Sequence, residues 1–294
     1  MTRYVVLVNP RAGTRPAEVA EVGDALDAAG VAHDIEVVTG GRETMRDAVV
    51  DVIASGRRLT VVGGDGTVGL AVEALVDAGL AADAPPLGVL PAGTGCDLLR
   101  TFGIPQDLRS AARHLATPSE YRIDAGRVEG EWGDRVFVNV GQAGVGAAAA
   151  HTARRVPRRL GSARYPAAFA ARLPRFPPAE VTIGGDRPHR GRALAVIVAN
   201  GQFFAGGWNV APKAMIGDGA LDVQVIDVHK RETPILVPRV IKGLHLGHPG
   251  VKRWSAARVT VATDVPWPVE ADGDFLGRTP CVFGALPGAI SLKI

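Results

Sequence analysis

The sequence predicts two domains: an α/β N-terminal domain with a doubly wound parallel sheet, and a mainly antiparallel, β-rich C-terminal domain. Up to about Tyr121, short apolar runs alternate with helical stretches that end at glycine. After Ile123-Asp124, strand-like runs follow one another with few helices between them. Alternation of strand and helix is typical of parallel sheets, whereas strands joined by turns are typical of antiparallel sheets. We therefore expect one domain over residues 1–124 and a second over 125–294.

The first domain is expected to alternate four strands with three helices. The strands are predicted at Tyr4–Val8, His33–Val38, Leu59–Val62 and Leu87–Leu90, and the helices at Pro16–Ala29, Arg42–Ala54 and Val68–Ala78. Gly30, Gly56 and Gly79 follow these helices, as left-handed C-caps require. The short connections imply parallel strands whose carboxyl ends share one edge of the sheet.

The second domain is expected to consist mostly of strands. They are predicted at Val136–Val140, Glu180–Ile183, Ala193–Ala199, Leu221–Val228, Arg258–Ala262 and Ala289–Ile294. Two stretches, roughly Ala147–Leu173 and Pro234–Leu246, are predicted to be helical. Within this domain, Asp222 and Glu270 are expected to serve on strand surfaces or in salt bridges.

The composition indicates a globular protein of a reducing compartment. Of 294 residues, 47% are hydrophobic and 21% are charged, which suffices to bury a real core. Two cysteines are too few for a disulfide framework, and the chain begins directly with a strand instead of a signal peptide. No apolar run approaches the ~20 residues of a spanning helix. We expect a cytoplasmic protein whose contact with a membrane, at the inner face, is peripheral.

The run Val61-Val62-Gly63-Gly64-Asp65-Gly66-Thr67 is the most informative local feature. Glycines between a buried strand and a helix allow backbone amides to approach phosphate oxygens, and the helix N-terminus favours an anion. A carboxylate in such a turn suits the handling of a metal, a proton or a hydroxyl. The alternative is a tight strand-to-helix turn in which Asp65 acts as a cap.

Two further loops of the same character follow parallel strands. Asn9-Pro10-Arg11-Ala12-Gly13 follows the first strand, and Pro91-Ala92-Gly93-Thr94-Gly95-Cys96-Asp97 follows the fourth. Chain packing needs one glycine per turn, not three clusters of glycine and hydroxyl residues on one edge. Because open α/β sheets bind ligands at the carboxyl ends of their strands, the three loops together predict a nucleotide site.

Two loops of the second domain carry carboxylates. The first, Lys213–Val223, contains Asp218-Gly219-Ala220, where a carboxylate flanked by backbone carbonyls suits a hard cation such as Mg²⁺. An Asp-Gly turn that leads into a strand is a fair competing interpretation. The second, Val269–Asp274, is another Asp-Gly turn followed by a carboxylate.

Taken together, these motifs resemble the diacylglycerol kinase catalytic-domain family, which includes soluble bacterial lipid kinases and the sphingosine and ceramide kinases. The resemblance runs from Asn9 to Asp274, with Asn-Pro-x-x-Gly, Gly-Gly-Asp-Gly-Thr, Pro-x-Gly-Thr-x-x-Asp and Asp-Gly-x-Leu-Asp-Val in order. It implies an NAD-kinase-like and diacylglycerol-kinase-like fold and transfer of phosphate from ATP to a primary hydroxyl of a lipid.

The resemblance also implies roles for individual residues. The ATP site would be lined by Asn9, Pro10, Arg11, Ala12, Gly13, Thr39, Gly63, Gly64, Asp65, Gly66, Thr67, Gly93, Thr94 and Asp97. Asp65 would sit at the reacting phosphate. Asp218 and the carbonyls of Met215 and Ala220 would hold Mg²⁺, with Asp97 and Asp124 tied to it through water. Asp274 occupies the place of the family's general base, which is a glutamate.

Three departures from the family pattern keep alternatives open. Gly69 and Leu70 stand where Asn-Glu is common, Cys96 replaces the usual Asn, and Asp274 is one methylene shorter than Glu. A catalytically inactive nucleotide- or lipid-binding homologue is therefore one alternative. A kinase for a soluble substrate, of the NAD kinase type, is another.

A basic stretch in the second domain supports contact with an anionic membrane surface. Seven arginines occur there without a single Asp or Glu: Arg154, Arg155, Arg158, Arg159, Arg164, Arg172 and Arg175. Tyr165, Phe169 and Phe176 are interleaved with them, and each cation would contribute ~1 kcal/mol near anionic lipid. A solvated basic helix face is the competing interpretation. No motif for nucleic acid accompanies the charge, so we expect no nucleic-acid partner, and a homodimer is left open.

Overall fold

The computed structural model describes residues 3–10, 18–92 and 96–294, without the side chains of residues 158 and 162. The chain divides into two compact units. The first comprises Met1–Ile123 with Gly288–Ile294, and the second comprises Asp124–Pro287. The C-terminal seven residues thus group with the first unit, whereas the sequence prediction left them in the second domain.

The first unit is built on a four-stranded sheet in which every strand runs parallel to its neighbours. Its strands are β1 (Tyr4–Val8), β2 (His33–Val37), β3 (Arg58–Gly63) and β4 (Gly88–Pro91). Their order is β2-β1-β3-β4. The predicted parallel α/β architecture is confirmed, and the carboxyl ends of all four strands meet at one edge.

The described residues of this unit form five helices: α1 (Val19–Ala28), α2 (Arg42–Ala54), α3 (Asp65–Asp77), α4 (Asp97–Thr101) and α5 (Leu108–Ala116). Gly30, Gly56 and Gly79 adopt positive φ after α1, α2 and α3, as predicted for C-caps. The predicted start of the third helix at Val68 is wrong. Helix α3 begins at Asp65, so Gly66 and Thr67 belong to its first turn and not to a preceding loop.

The remaining strands form two six-stranded sheets. They are β5 (Glu120–Gly130), β6 (Gly133–Phe137), β7 (Val140–Gly144), β8 (Ala179–Gly185), β9 (His189–Ala193), β10 (Ala195–Ala199), β11 (Leu221–Ile226), β12 (Val251–Ala256), β13 (Arg258–Thr263), β14 (Pro268–Ala271), β15 (Asp274–Arg278) and β16 (Cys281–Lys293). One sheet has the order β12-β11-β10-β7-β14-β15, and the other β6-β5-β16-β13-β8-β9. The first is antiparallel throughout, which confirms the predicted antiparallel, β-rich part of the chain.

Both long helices predicted in the second domain are shorter in the structure. The stretch from Ala147 to Leu173 is divided into α6 (Val145–Ala153) and α7 (Arg164–Arg172), with a 3-10 segment at Arg158–Ala163 between them. Pro157 and Gly161, which has a φ of 51°, interrupt the helix. Helix α8 covers Thr233–Ile241, and Gly243 at φ 70° lies beyond its end.

Two stretches that were each predicted as one strand contain parts of two strands in the structure. The stretch Val136–Val140 holds the end of β6 and the start of β7, and Ala193–Ala199 holds the end of β9 and all of β10. The core of the second unit contains several aromatic side chains. Among them, Phe137 and Phe283 are in edge-to-face contact, with 6.2 Å between their ring centroids. Within the described ranges, no helix has the length and apolarity needed to cross a bilayer.

Candidate active site

The carboxyl edge of the parallel sheet gathers several of the predicted ATP-site residues. Asn9 directly follows β1, Thr39 comes two residues after β2, and Gly64 directly follows β3. The side-chain amide of Asn9 donates to Thr67 Oγ1 at 3.3 Å, which joins the loop after β1 to the first turn of α3. Thr39 is exposed at the same edge. Sequence reasoning therefore placed these loops correctly relative to the strands.

Gly63 and Thr67 fit together at the start of α3. A Cβ atom on Gly63 would lie 2.3 Å from Thr67 Oγ1, so only glycine leaves room for the buried threonine. The first-turn amides of a helix have no partner four residues earlier, and the dipole makes this end positive. A Cβ on Gly66 would meet no atom of the described residues within 4 Å, so among them the space beside the first turn is open. This arrangement fits a phosphate group of a nucleotide.

Asp65 lies at the N-terminus of α3, but its side chain caps the N-terminus of α4. Its Oδ1 accepts hydrogen bonds from the backbone amides of Asp97 at 2.7 Å and of Leu98 at 3.2 Å, at the beginning of α4. The cap considered in the sequence interpretation is therefore real, although the capped helix is α4 and not α3. Asp65 and Asp97, two predicted site residues, are brought together by this contact.

Cys96 is buried beside Asp65, with Sγ 3.6 Å from Oδ1. Burial, followed by the charge of Asp65, raises the pKa of the thiol well above its ordinary value. The thiol therefore stays protonated and packs as a small side chain at the position of the family's usual asparagine. Asp97 itself is buried, and its Oδ1 lies 3.3 Å from Arg100 Nε.

Some predicted site residues have no structural description. Arg11, Ala12, Gly13, Gly93 and Thr94 all lie outside the described ranges. Pro10 is the last described residue of the first loop and lies in a turn. Their assignment to the ATP site stays a prediction.

In the second unit, Asp124 is linked to the predicted metal loop. Its Oδ2 accepts a hydrogen bond of 2.6 Å from the amide of Gly219, and its backbone amide donates to the carbonyl of Ile216. Gly219 has a φ of 76°, a conformation that favours glycine, and the adjacent Asp218 is exposed. Residues that are 95 positions apart thus meet, and the water-mediated tie of Asp124 to Mg²⁺ stays a prediction.

The donors of this loop suit Mg²⁺. Asp218 offers an exposed carboxylate, and Met215 is 64% exposed on the same loop. Mg²⁺ keeps several waters and takes one or two carboxylates plus oxygen donors, so an open loop of this kind fits it. Throughout the described chain, no group of three or more His, Cys, Asp or Glu side chains converges on one point.

Asp274 is the first residue of β15, which forms a hairpin with β14. Its Oδ1 lies 3.0 Å from Arg154, and its Oδ2 lies 3.9 Å from Arg135. The neighbouring Asp272 fixes the hairpin, because its carboxylate accepts from the amides of Val138, Asn139 and Val140. Asp274 is 38% exposed, so its side chain is open to a substrate hydroxyl.

Glu270 and Gln142 are functional candidates that sequence reasoning missed. The expectation of a surface or salt-bridge role for Glu270 is wrong, since its side chain is fully buried and accepts from Gln142 and from the amide of Gly273. Burial raises the pKa of Glu270 to about 8. The expectation holds for Asp222, which pairs with Arg253.

An apolar cavity of about 80 Å³ lies in the second unit beside Gln142. Side chains of β7, β10 and β11 line one part of it, and side chains of α6, α7 and α8 line the other. They include Ile197, Tyr165, Phe169, Phe204, Trp208 and Val240. Gln142, Thr233 and the hydroxyl of Tyr165 bring polar groups to a lining that includes no charged side chain among the described residues. Such a lining fits a hydrocarbon chain with a polar group at one end.

Comparison with known proteins agrees with these features. Residues 3–128 match the diacylglycerol kinase catalytic domain, and residues 139–294 match the YegS C-terminal NAD kinase beta sandwich-like domain. The chain belongs to the diacylglycerol kinase catalytic-domain family. The family predicted from the motifs is therefore confirmed.

The similarity to individual relatives extends over most of this chain. A probable lipid kinase YegS-like from Pseudomonas putida is 30% identical over 93% of this chain and 88% of its own length. A diacylglycerol kinase from Mycobacterium tuberculosis is 29% identical over 88% of this chain and 84% of its own length. A crystal structure of a diacylglycerol kinase from Bacillus anthracis shares the fold, with a TM-score of 0.73, 19% identity and coverage of 99% and 96% of the two chains.

Proposed function

We propose that this protein is an ATP-dependent kinase that phosphorylates a primary hydroxyl of a lipid, such as a diacylglycerol. Membership of the family supports a lipid kinase. The observation that carries the proposal to a lipid acceptor is the apolar cavity beside Gln142. Glu270, the hydrogen-bond partner of Gln142, stands in the hairpin that also carries Asp274. A hydrocarbon chain in the cavity would place its polar end near this hairpin.

The nucleotide is assigned to the carboxyl edge of the parallel sheet. The start of α3 supplies backbone amides and a positive helix end for phosphate oxygens. Asn9 and Thr67 hold the adjoining loop, and Asp65 fixes the first turn of α4. Transfer of a phosphoryl group depends mostly on positioning and on neutralisation of charge, so a rigid set of loops is the main requirement here.

The acceptor hydroxyl is assigned to Asp274. The oxygen of the lipid hydroxyl attacks the terminal phosphorus of ATP, and the bond from that phosphorus to the bridging oxygen of ADP breaks. The hydroxyl proton passes to the carboxylate of Asp274. Arg154 and Arg135 orient this carboxylate. Asp218, with the carbonyls of Met215 and Ala220, would hold Mg²⁺, which neutralises charge on the phosphates when it is bound.

Two other functions remain as alternatives. A kinase for NAD would share the glycine loop, but the apolar lining of the cavity beside Gln142 fits a hydrocarbon chain better than a dinucleotide. A catalytically inactive binding homologue is suggested by Gly69, Leu70 and Cys96. Burial of Cys96 against Asp65 shows that the last of these departures is accommodated by packing.

The decisive experiment is transfer of radiolabelled γ-phosphate from ATP, with Mg²⁺, to a panel of acceptors. Dioleoylglycerol, sphingosine and phosphatidylglycerol in mixed micelles are compared with NAD in the same buffer. Label on a lipid supports the proposal and names the acceptor. Label on NAD alone overturns it in favour of the soluble-substrate kinase. ATP binding without transfer to any acceptor favours the inactive homologue.

A further inference from the structure

A second, basic pocket of about 390 Å³ opens in the same unit and shares no lining residue with the apolar cavity. It lies among the end of α6, the end of α7 and the residues around β14 and β15. Four arginines line it, namely Arg155, Arg172, Arg175 and Arg278. The described part of the lining includes no aspartate or glutamate.

The four arginines have no carboxylate partner among the residues that the structure describes. Their neighbour Arg154 differs, because it is paired with Asp274. Four guanidinium groups around one pocket repel one another, and an anion in the pocket would relieve that repulsion.

His151 lies near two of these arginines, Arg155 and Arg172. Its pKa is lowered from the ordinary value, first by burial and then by the charges of Arg155, Arg154 and Arg172. The ring also packs against Phe275, with 4.7 Å between the ring centroids and a tilt of 55° between the ring planes. The lining therefore favours an anion and disfavours a further cation.

Apart from His151 and Thr152, the remaining described walls of the pocket are apolar. Phe176 and Trp267 are buried with their ring centroids 5.6 Å apart, whereas Val265 and Phe275 are 47% and 36% exposed. Guanidinium groups bind phosphate oxygens through two parallel hydrogen bonds, which makes arginine the preferred partner of phosphate esters. A phosphate next to an apolar group matches both parts of this lining.

We propose that the pocket of Arg155, Arg172, Arg175 and Arg278 binds the phosphate of a phosphate ester, and so anchors the protein to an anionic phospholipid. The chemistry recognised is a phosphate ester beside apolar atoms, which a membrane phospholipid and a soluble ester both present. The inference rests on the proposed function only in placing the protein at a lipid surface. The site is separate from the cavity assigned to the acceptor.

The test compares wild type with Arg172→Gln/Arg175→Gln and with the control Arg187→Gln/Arg190→Gln. The control removes the same charge from exposed positions of the same unit, outside the pocket. Binding is measured by sedimentation with phosphatidylglycerol-containing vesicles, with pure phosphatidylcholine vesicles and, by calorimetry, with glycerol 3-phosphate and inorganic phosphate. Kinase activity toward a short-chain acceptor in detergent is measured in parallel, so that loss of anchoring is distinguished from loss of catalysis.

We expect the pocket variant to lose roughly tenfold or more in affinity for anionic vesicles, because each arginine contributes ~1 kcal/mol near anionic lipid. The control is expected to stay within about twofold of wild type, since the same charge is removed at a distance. Loss toward vesicles alone identifies the lipid headgroup as the ligand, and loss toward glycerol 3-phosphate as well shows that soluble esters also bind. Equal losses of vesicle affinity in both variants, or no loss in either, would overturn the proposal that this pocket binds the phosphate. Unchanged melting temperatures exclude unfolding as the cause.

Discussion

The side-chain amide of Gln142 donates a 2.5 Å hydrogen bond to the carboxylate of Glu270 inside the second unit. The two residues face each other in the register of β7 and β14, and Glu270 is fully buried. Burial removes the hydration that stabilises the charged form of a carboxylate, so it raises the pKa of Glu270 to about 8. Gln142 also lines the apolar cavity, so this bond ties the polar end of the cavity to the hairpin of Asp274.

The first prediction concerns the pH dependence of stability. In the unfolded chain Glu270 ionises near its ordinary pKa of 4.5, whereas in the folded chain it does so near 8. Between these values the unfolded state holds fewer protons, so the free energy of unfolding should fall as pH rises, by on the order of a few kcal/mol. Glu270→Gln keeps a hydrogen-bond acceptor and should remove most of this fall.

Urea denaturation at pH 5 and at pH 8 tests this expectation. Glu180→Gln, at an exposed position of β8, is the matched control and should keep the wild-type difference between the two pH values. If Glu270→Gln and wild type lost the same stability between pH 5 and pH 8, the burial of an ionisable Glu270 would not control the profile.

The second prediction separates two roles of Asp65. In Asp65→Asn, the side-chain oxygen can still accept from the amides of Asp97 and Leu98, so stability should fall by less than about 1 kcal/mol. In Asp65→Ala, the cap of α4 is lost, at a cost of about 1 kcal/mol. Both variants should lose at least about a hundredfold in turnover if the carboxylate acts at the reacting phosphate.

Thermal melting and kcat in the labelled-phosphate assay measure these effects. Wild-type turnover in Asp65→Asn would leave Asp65 with its capping role alone. The prediction also requires that Asp65→Asn still binds ATP, which equilibrium dialysis checks.

The sheet edge was predictable because local signals specify it. Gly30, Gly56 and Gly79 mark the ends of three helices, and each apolar run between them is a parallel strand. The position of loops after parallel strands then follows from topology. Close packing explains Gly63, whose missing Cβ makes room for Thr67.

The contacts of Asp65 and Glu270 could not be predicted in the same way. Helix α4 has five residues, too few for an apolar period, so nothing marked the amides that Asp65 caps. The bond from Gln142 to Glu270 joins residues 128 apart and depends on the register of β7 against β14. In contrast, Pro157 offered a visible signal that the long helix predicted from Ala147 to Leu173 would break.

The third prediction concerns the length of the side chain at position 274. Asp274→Asn cannot accept a proton, so kcat should fall by about 10²–10⁴-fold. Asp274→Glu restores the carboxylate with one more methylene, and it should keep activity within about tenfold of wild type if reach is the only change. Initial rates at saturating ATP and acceptor measure both variants. Near wild-type kcat in Asp274→Asn would assign the proton to another group.

The last prediction tests whether the apolar cavity holds the lipid chain. Val240 lines the cavity from α8, whereas Ile235 on the same helix is 66% exposed and outside the lining. Val240→Trp should fill the space and lower kcat/KM for dioleoylglycerol by roughly tenfold or more, because apolar area of the acceptor can no longer be buried. Ile235→Trp is the matched control and should change it by less than about twofold.

Acceptor length gives this last experiment a second readout. Dioctanoylglycerol has less apolar area to bury, so Val240→Trp should impair it less than dioleoylglycerol, while the KM for ATP stays unchanged. Equal losses for both acceptors would point to a general disturbance of α8. An unchanged kcat/KM for dioleoylglycerol in Val240→Trp would place the lipid chain elsewhere on the protein.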